Sequence, residues 1–396
     1  MISPAEAASA IRSHAPLLPA EKRPIGASVG GILREPIYAT RDQPPFDRVT
    51  MDGIAFSSAA YDRGCRTFTI CGTQAAGAPP MALSTPEGCI EVMTGAIAPL
   101  GCDCVVPIEK VSVHEGQAHL ASDVTVAPGL NIHARGLDCA AGRLLLQSGA
   151  RLGPAEIAVL ASTGAAEVLT AREPRISVIS TGDELVEPGQ PVSDWQIYRS
   201  NAYAVVAGLK RRGFTQVGTE HLRDDLATLR SRLRILLDEH DVLILSGGVS
   251  MGRFDYIPQV LEELGVQRIF HKIAQRPGKP MWFGVSPAGK AVYALPGNPV
   301  STLMCLARYV YLGLDAAAGS STADAAVEAV LDADFEVKPA LTYFLPVAIG
   351  SEMRAQPRPT QGSGDFTSLL GTDGFVELPP GPRLVTSETR APFFPW

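Results

Sequence analysis

From residue 176 onward, short apolar runs alternate with stretches of helical period. RISVIS (residues 175–180), DVLILS (241–246) and AVYAL (291–295) read as short apolar strands. Leu226, Leu229, Leu233 and Leu236 recur at i, i+3, i+7 and i+10 and predict a helix beginning near Asp225. Ile257, Val260, Leu261 and Leu264 predict another from about Tyr256, and two more are expected near residues 201–212 and 300–312. Strands that alternate with helices in this way predict a mainly parallel sheet covered on both faces.

The remainder of the chain is patterned differently. Residues up to about Leu33 look helical, whereas residues 35–126 are rich in Gly, Pro and Thr and lack helical period, which predicts strands and turns. Residues 154–162 return to helical spacing, with Ile157, Leu160 and Ala161 on one face and Pro154 in the first turn. Residues 172–175 read as a linker. After about residue 320, AAVEAVLDADFEVK, TYFLPVAIG and GFVELPPG predict a small all-β domain.

Composition narrows the class. A chain of 396 residues suggests several domains, and 46% hydrophobic with 19% charged residues suits packed cores rather than disorder. The net charge of -7 argues against a broad nucleic-acid face, so an anionic ligand would need a local basic cluster. No apolar run approaches the roughly 18 residues that span a bilayer. The first residues read as a short helix without a signal-peptide core, and a cytoplasmic protein is expected. The seven cysteines match no zinc spacing and are expected to be buried, reduced thiols.

The candidate chemistry sits where the three apolar runs end. STGDEL (180–185), SGGVSMGRFDY (246–256) and LPGNPVS (295–301) are sharp turns after strands, the place where open α/β sheets bind ligands. Backbone N–H groups of Ser180, Thr181, Gly182, Ser246, Gly247, Gly248, Ser250, Gly297, Asn298 and Ser301 suit an anion, and Pro296 and Pro299 fix the backbone of the last turn. Asp183, Glu184, Asp224, Asp225 and Asp255 would suit a hard cation such as Mg2+, although an Asp before a helix is also an ordinary N-cap. His271, Lys272, Arg276 and Lys279 gather cations around a Pro-Gly turn, which suits phosphate or another oxyanion. In the N-terminal half, Asp52 beside Gly53, Thr94 in EVMTGA, and Arg135 with Asp138 around a turn are weaker signals taken singly. Walker A and HExxH strings are absent from the sequence.

Together these strings resemble the molybdopterin molybdenumtransferase family, which includes the E domain of gephyrin. The matching pieces, in family order, are PPFDRVTMDGIAF, EVMTGAIAPLGCDCVVPIE, PGLNIHARGLD, STGDEL, Ser200-Asn201, RDD, SGGVSMGRFDY, RPGKP, LPGNPVS and QGSGD. The resemblance implies a multidomain α/β plus β protein. An elongated helical and extended domain (residues 1–42 and 130–172) is interrupted by a β-rich domain (43–129). A three-layer α/β domain of molybdopterin-binding type (173–318) and a C-terminal β-barrel (319–396) follow. It implies a homodimer that inserts molybdate into adenylylated molybdopterin with Mg2+-dependent release of AMP, with an adenylyltransferase as partner. Asp52, Asp138, Glu184, Lys272 and Lys279 would be catalytic. Thr94, Arg135, Arg276, Ser363 and the turn residues would bind the pterin substrate, and Glu184, Asp225 and Asp255 would bind the metal or position a reacting oxygen.

The chain departs from the family pattern at four places. Arg276 stands where many members have a Lys before PGK, a mild change in charge terms. His133 stands where an Arg is usual and Leu137 where a Glu is usual, and Phe344-Leu345-Pro346 lacks a customary Arg that Arg354 or Arg358 would have to replace. Two other readings compete: a molybdopterin adenylyltransferase, disfavoured by the additional N- and C-terminal domains, and a non-catalytic pterin-binding scaffold, disfavoured by the retained acids.

Overall fold

The computed structural model describes residues 1–249, 255–321, 327–338 and 340–396. The chain forms two compact units. The larger comprises Met1–Glu35, Ser148–Pro154 and Glu167–Trp396, and the smaller comprises Pro36–Gln147 and Ala155–Ala166.

The larger unit is built on a six-stranded sheet in the order Val217–Leu222, Ile176–Thr181, Val242–Ser246, Ala291–Leu295, Trp282–Val285, Gln267–His271. The first four strands are parallel, and the last two are antiparallel to their neighbours. The three apolar runs are thus adjacent central strands, buried at every position. Alternate residues serve opposite faces, as the pleat requires. Ile176, Val178, Ile244 and Tyr293 join one core, and Ile179, Leu243, Leu245 and Val292 join the other. The second core is closed by the Leu226–Glu239 helix, whose Leu229, Leu233 and Leu236 are buried at about 1.5–3 kcal/mol each. The helices at Ser200–Arg211 and Pro299–Cys305 cover the first.

The helix expected over 300–312 runs on to Ala318, with a π turn at Leu306–Val310. The expectation of helix up to Leu33 is corrected: the N-terminal helix is Pro4–His14, capped by a Ser3–Glu6 capping box. Pro16 and Pro19 then withhold helical hydrogen bonds, and Ala20–Pro24 pairs as a strand with Glu167–Ala171.

A β-barrel occupies the C-terminal part of this unit. Strands Thr342–Ile349, Arg354–Pro357, Val327–Leu331, Arg390–Pro395 and Gly374–Leu378 follow one another, and the last pairs back onto the first. Closure removes the free edges. The short strand Gln275–Arg276 adds in parallel to Thr342–Tyr343, which fastens the basic turn to the barrel.

The smaller unit holds a second six-stranded sheet, ordered Cys104–Pro107, Gly53–Phe56, Gly88–Val92, Thr67–Gln74, Gln117–Leu120, Val111–His114. Phe56, Phe68 and Val106 pack on one face, and Val49, Ala55 and Ile90 on the other. In the helix Pro154–Ser162, Leu160 is buried and Ile157 half-buried, whereas Ala161, expected on the same face, is exposed. The cysteines are unpaired: Cys89, Cys104, Cys139 and Cys305 are buried, and Cys65, Cys71 and Cys102 only half-buried. No helix among the described residues is long and apolar enough to cross a membrane.

Candidate active site

The register of the central sheet sets the site. Ser180 lies opposite Ser246, and Ser246 opposite Leu295, so the three turns leave the sheet at one level. Asn201, in the first turn of the helix that follows, ties two of them together. Its Nδ2 donates to Ser246 Oγ at 2.8 Å and to the Gly297 carbonyl at 2.7 Å. Gly247 has φ +103°, and a Cβ there would lie 2.7 Å from the Thr181 carbonyl, so only glycine lets these two turns meet. The 295–301 turn is braced further. Thr302 Oγ1 donates to the Pro296 carbonyl at 2.6 Å, and Asn298 Nδ2 donates to Ser363 Oγ at 2.7 Å.

Two adjoining clefts open over these turns and share Gly297 and Asn298. One, of about 410 Å3, is lined by Arg276, Lys279, Pro296, Ser301, Tyr343 and Ser363 among others. The other, of about 590 Å3, is lined by Ser180, Thr181, Glu184, Asn201, Ser246 and Gly247 among others. The structure therefore brings most of the expected turn and basic residues to one place. Gly182, Gly248, Asp255 and Lys272 are not among the described residues that line either cleft. Gly182 still belongs to the acidic end, since a Cβ on it would lie 2.6 Å from Glu184 Oε2. Ser250 lies outside the described residues.

The two neighbouring acids at 224 and 225 have separate fates. Asp225 is the N-cap of the Leu226–Glu239 helix: its Oδ2 accepts from the Thr228 N–H at 2.8 Å, and hydrogen bonds with Thr228 hold its carboxyl below the usual range. Asp224 is pushed up to about 6, first by burial and then by the charges of Glu184, Asp183 and Asp255. The acid that shares the field of Glu184 and Asp255 is thus Asp224, and Asp225, expected to bind metal, is occupied as a cap. Among the described residues, no three His, Cys, Asp or Glu side chains form a ready-made metal cage.

In the smaller unit, Asp52 and Thr94 are joined. Asp52 Oδ1 accepts from the Thr94 N–H at 2.6 Å and from Thr94 Oγ1 at 2.7 Å, and these bonds hold the Asp52 carboxyl below its usual range. Asp138 meets His133, with Nε2 at 2.9 Å from Oδ1. Arg135 donates from Nε to Asp42 Oδ2 at 2.6 Å, and its backbone N–H donates to Asp47 Oδ1 at 2.8 Å.

Comparison with known proteins settles what this arrangement belongs to. Residues 2–164 match the MoeA N-terminal region (domain I and II), residues 177–314 the probable molybdopterin binding domain, and residues 328–387 the MoeA C-terminal region (domain IV). The chain is similar to a molybdopterin molybdenumtransferase of Synechocystis sp., 41% identical over 401 residues and covering 100% of both chains. It is similar to another of Bacillus subtilis, 30% identical over 370 residues and covering 90% of this chain and 85% of that one. The chain belongs to the MoeA family, the molybdopterin molybdenumtransferases of molybdenum cofactor biosynthesis. A solved MoeA protein from Pyrococcus horikoshii shares the fold with a TM-score of 0.81 at 31% identity, covering 100% of this chain and 99% of that one.

The departures from the MoeA pattern have structural settings. Leu345 is fully buried in the barrel core and is not among the described residues lining either cleft. Arg354 pairs with Glu388 and Arg358 donates to Gln356 Oε1 at 2.7 Å, and neither is among the described residues lining the clefts. Tyr343 and Gln361 do line the basic one. Sequence reasoning missed both. For Tyr343 the only link is its pairing opposite Arg276, a long-range contact without local signal. Asn201 had a signal, since it stands inside a family motif, but no role was attached to it, and Asp224 was grouped with the acids that would suit a cation but left out of the metal set that the resemblance implied.

Proposed function

We propose that this protein joins molybdate to adenylylated molybdopterin and releases AMP, completing the molybdenum cofactor. The observation that carries the reading is the adjacency of two clefts, with Arg276 and Lys279 lining one and Glu184 the other, and Gly297 and Asn298 shared. Molybdate and a phosphoanhydride are both oxyanions. Charge-assisted hydrogen bonds from a guanidinium and an ammonium are the strong way to hold them. Ser301 and Ser363 add neutral donors in the same compartment. Breaking the phosphoanhydride leaves charge on the departing AMP, which Lys279 and Arg276 would stabilise.

Glu184, Asp224 and Asp255 are the residues that would hold Mg2+. Burial first, and then the charges of Glu184, Asp183 and Asp255, raise Asp224, which favours a cation beside it, yet among the described residues these acids form no complete cage. That fits Mg2+, which usually takes one or two carboxylates and fills the rest of its shell with water and substrate phosphate. When bound, Mg2+ would neutralise phosphate charge. Asp52 and Asp138 enter the reading through the family resemblance, as do a homodimer, a cytoplasmic location and an adenylyltransferase that hands over the pterin.

The test is Glu184→Gln, assayed for AMP release from adenylylated molybdopterin. The reading expects loss of release with thermal unfolding unchanged. Full activity in this variant would remove Glu184 from the mechanism.

A further inference from the structure

Asp138 is held by a side chain that has no assigned role. His133 and Arg48 face each other across the paired strands Ile132–His133 and Arg48–Val49, which fixes where the imidazole stands. Its Nδ1 lies 3.4 Å from Arg48 Nη2 and its Nε2 lies 2.9 Å from Asp138 Oδ1. A guanidinium offers only N–H donors, so Nδ1 meets it as an acceptor. The ring hydrogen then sits on Nε2 and is donated to Asp138. The backbone at Asp138 is fixed separately: its N–H donates to the Gln43 carbonyl at 2.9 Å, and Arg143 Nη1 reaches its carbonyl at 3.5 Å. The backbone contacts leave the carboxylate orientation to the imidazole. Asp138 is about half exposed (56%) and His133 is less so (25%), an arrangement in which a sheltered ring aims an accessible acid.

We propose that His133 is a positioning residue for Asp138, with Arg48 setting the ring tautomer. This rests on the reading that Asp138 takes part in the reaction. The imidazole engages Oδ1, so Oδ2 is the oxygen that meets the reacting group. Loss of the Nε2–H would let the carboxylate rotate, and misplacement of a reacting group by about 1 Å can cost on the order of a hundredfold in rate.

The experiment compares His133→Gln, which keeps an N–H near the Nε2 position, with His133→Phe, which keeps ring volume without a donor. Both are made in the full chain and in an Asp138→Asn background, and AMP release is measured with thermal unfolding alongside. The expected result is a roughly ten- to hundredfold fall in kcat for His133→Phe, with a smaller change in KM. His133→Gln should stay near the parent rate, and neither change should add to the loss in Asp138→Asn. Full kcat in His133→Phe, with Asp138→Asn inactive, would overturn the positioning role alone. An additive loss in the double variant would do the same. Full activity in Asp138→Asn would overturn the reading beneath it.

Discussion

Asn201 Nδ2 lies 2.8 Å from Ser246 Oγ, and through this contact a helix residue fixes the turn of a neighbouring strand. The same amide reaches the Gly297 carbonyl, so one side chain holds the walls of both clefts. Asn201→Ala leaves these partners without their donor, at a cost of about 1–3 kcal/mol in stability. The expected outcome is a lower urea midpoint together with a rise in KM for the pterin substrate. A drop in stability with KM unchanged would make Asn201 a brace alone.

Lys279 and Arg276 line the basic compartment. Removing one charged donor from an oxyanion site costs about 1.5–3 kcal/mol, or roughly ten- to a hundredfold in affinity. Lys279→Ala is therefore expected to raise the molybdate concentration needed for half-maximal turnover by that factor. Lys279→Arg should recover part of the loss, because charge is kept while the point-like ammonium is exchanged for a planar fork.

Variants of the two adjacent acids test the proposed division between helix cap and metal holder. Asp225→Ala should lower the urea midpoint by removing the helix cap, with the Mg2+ dependence of AMP release unchanged. Asp225→Asn should be nearly silent, since Asn caps as well. Asp224→Asn should raise the Mg2+ concentration needed for activity at little cost in stability, because it relieves repulsion with Glu184, Asp183 and Asp255. Urea unfolding and a Mg2+ titration of AMP release, run on the three variants, read the two outcomes.

Asp241 supplies a pH dependence of stability. Its carboxylate is almost buried, which alone would raise its pKa. The Arg175 N–H at 2.9 Å and the Arg172 guanidinium at 3.0 Å, with Lys290 at 3.4 Å, outweigh burial and hold it below the usual range. A carboxyl depressed in the folded state contributes stability above its unfolded pKa of about 3.9 and loses it as pH falls through the folded value. Asp241→Asn should therefore be less stable than the parent at pH 7 by about 1–3 kcal/mol. The gap should narrow toward pH 3, as measured by urea unfolding across pH.

The central sheet was legible because Ile176–Thr181, Val242–Ser246 and Ala291–Leu295 are buried on both faces and so appear as unbroken apolar runs. The turns that follow them carry glycines with positive φ, a local signal, although Gly247 is also required by its approach to the distant Thr181 carbonyl. The N-terminal strand Ala20–Pro24 was hidden because its burial alternates without an apolar run, and its partner lies almost 150 residues away. The choice between Asp224 and Asp225 turns on which side of an extended chain each carboxylate leaves, a matter of one residue in register. Tyr343 enters the basic cleft only because Gln275–Arg276 adds to the barrel, and nothing near it in the sequence announces that pairing.

The most direct measurement is AMP release from adenylylated molybdopterin with Mg2+, with and without molybdate, followed by transfer of the pterin product to an apo-molybdoenzyme. The account predicts release that depends on molybdate and a product that activates the apo-enzyme. Tight pterin binding with no AMP release under either condition would contradict it.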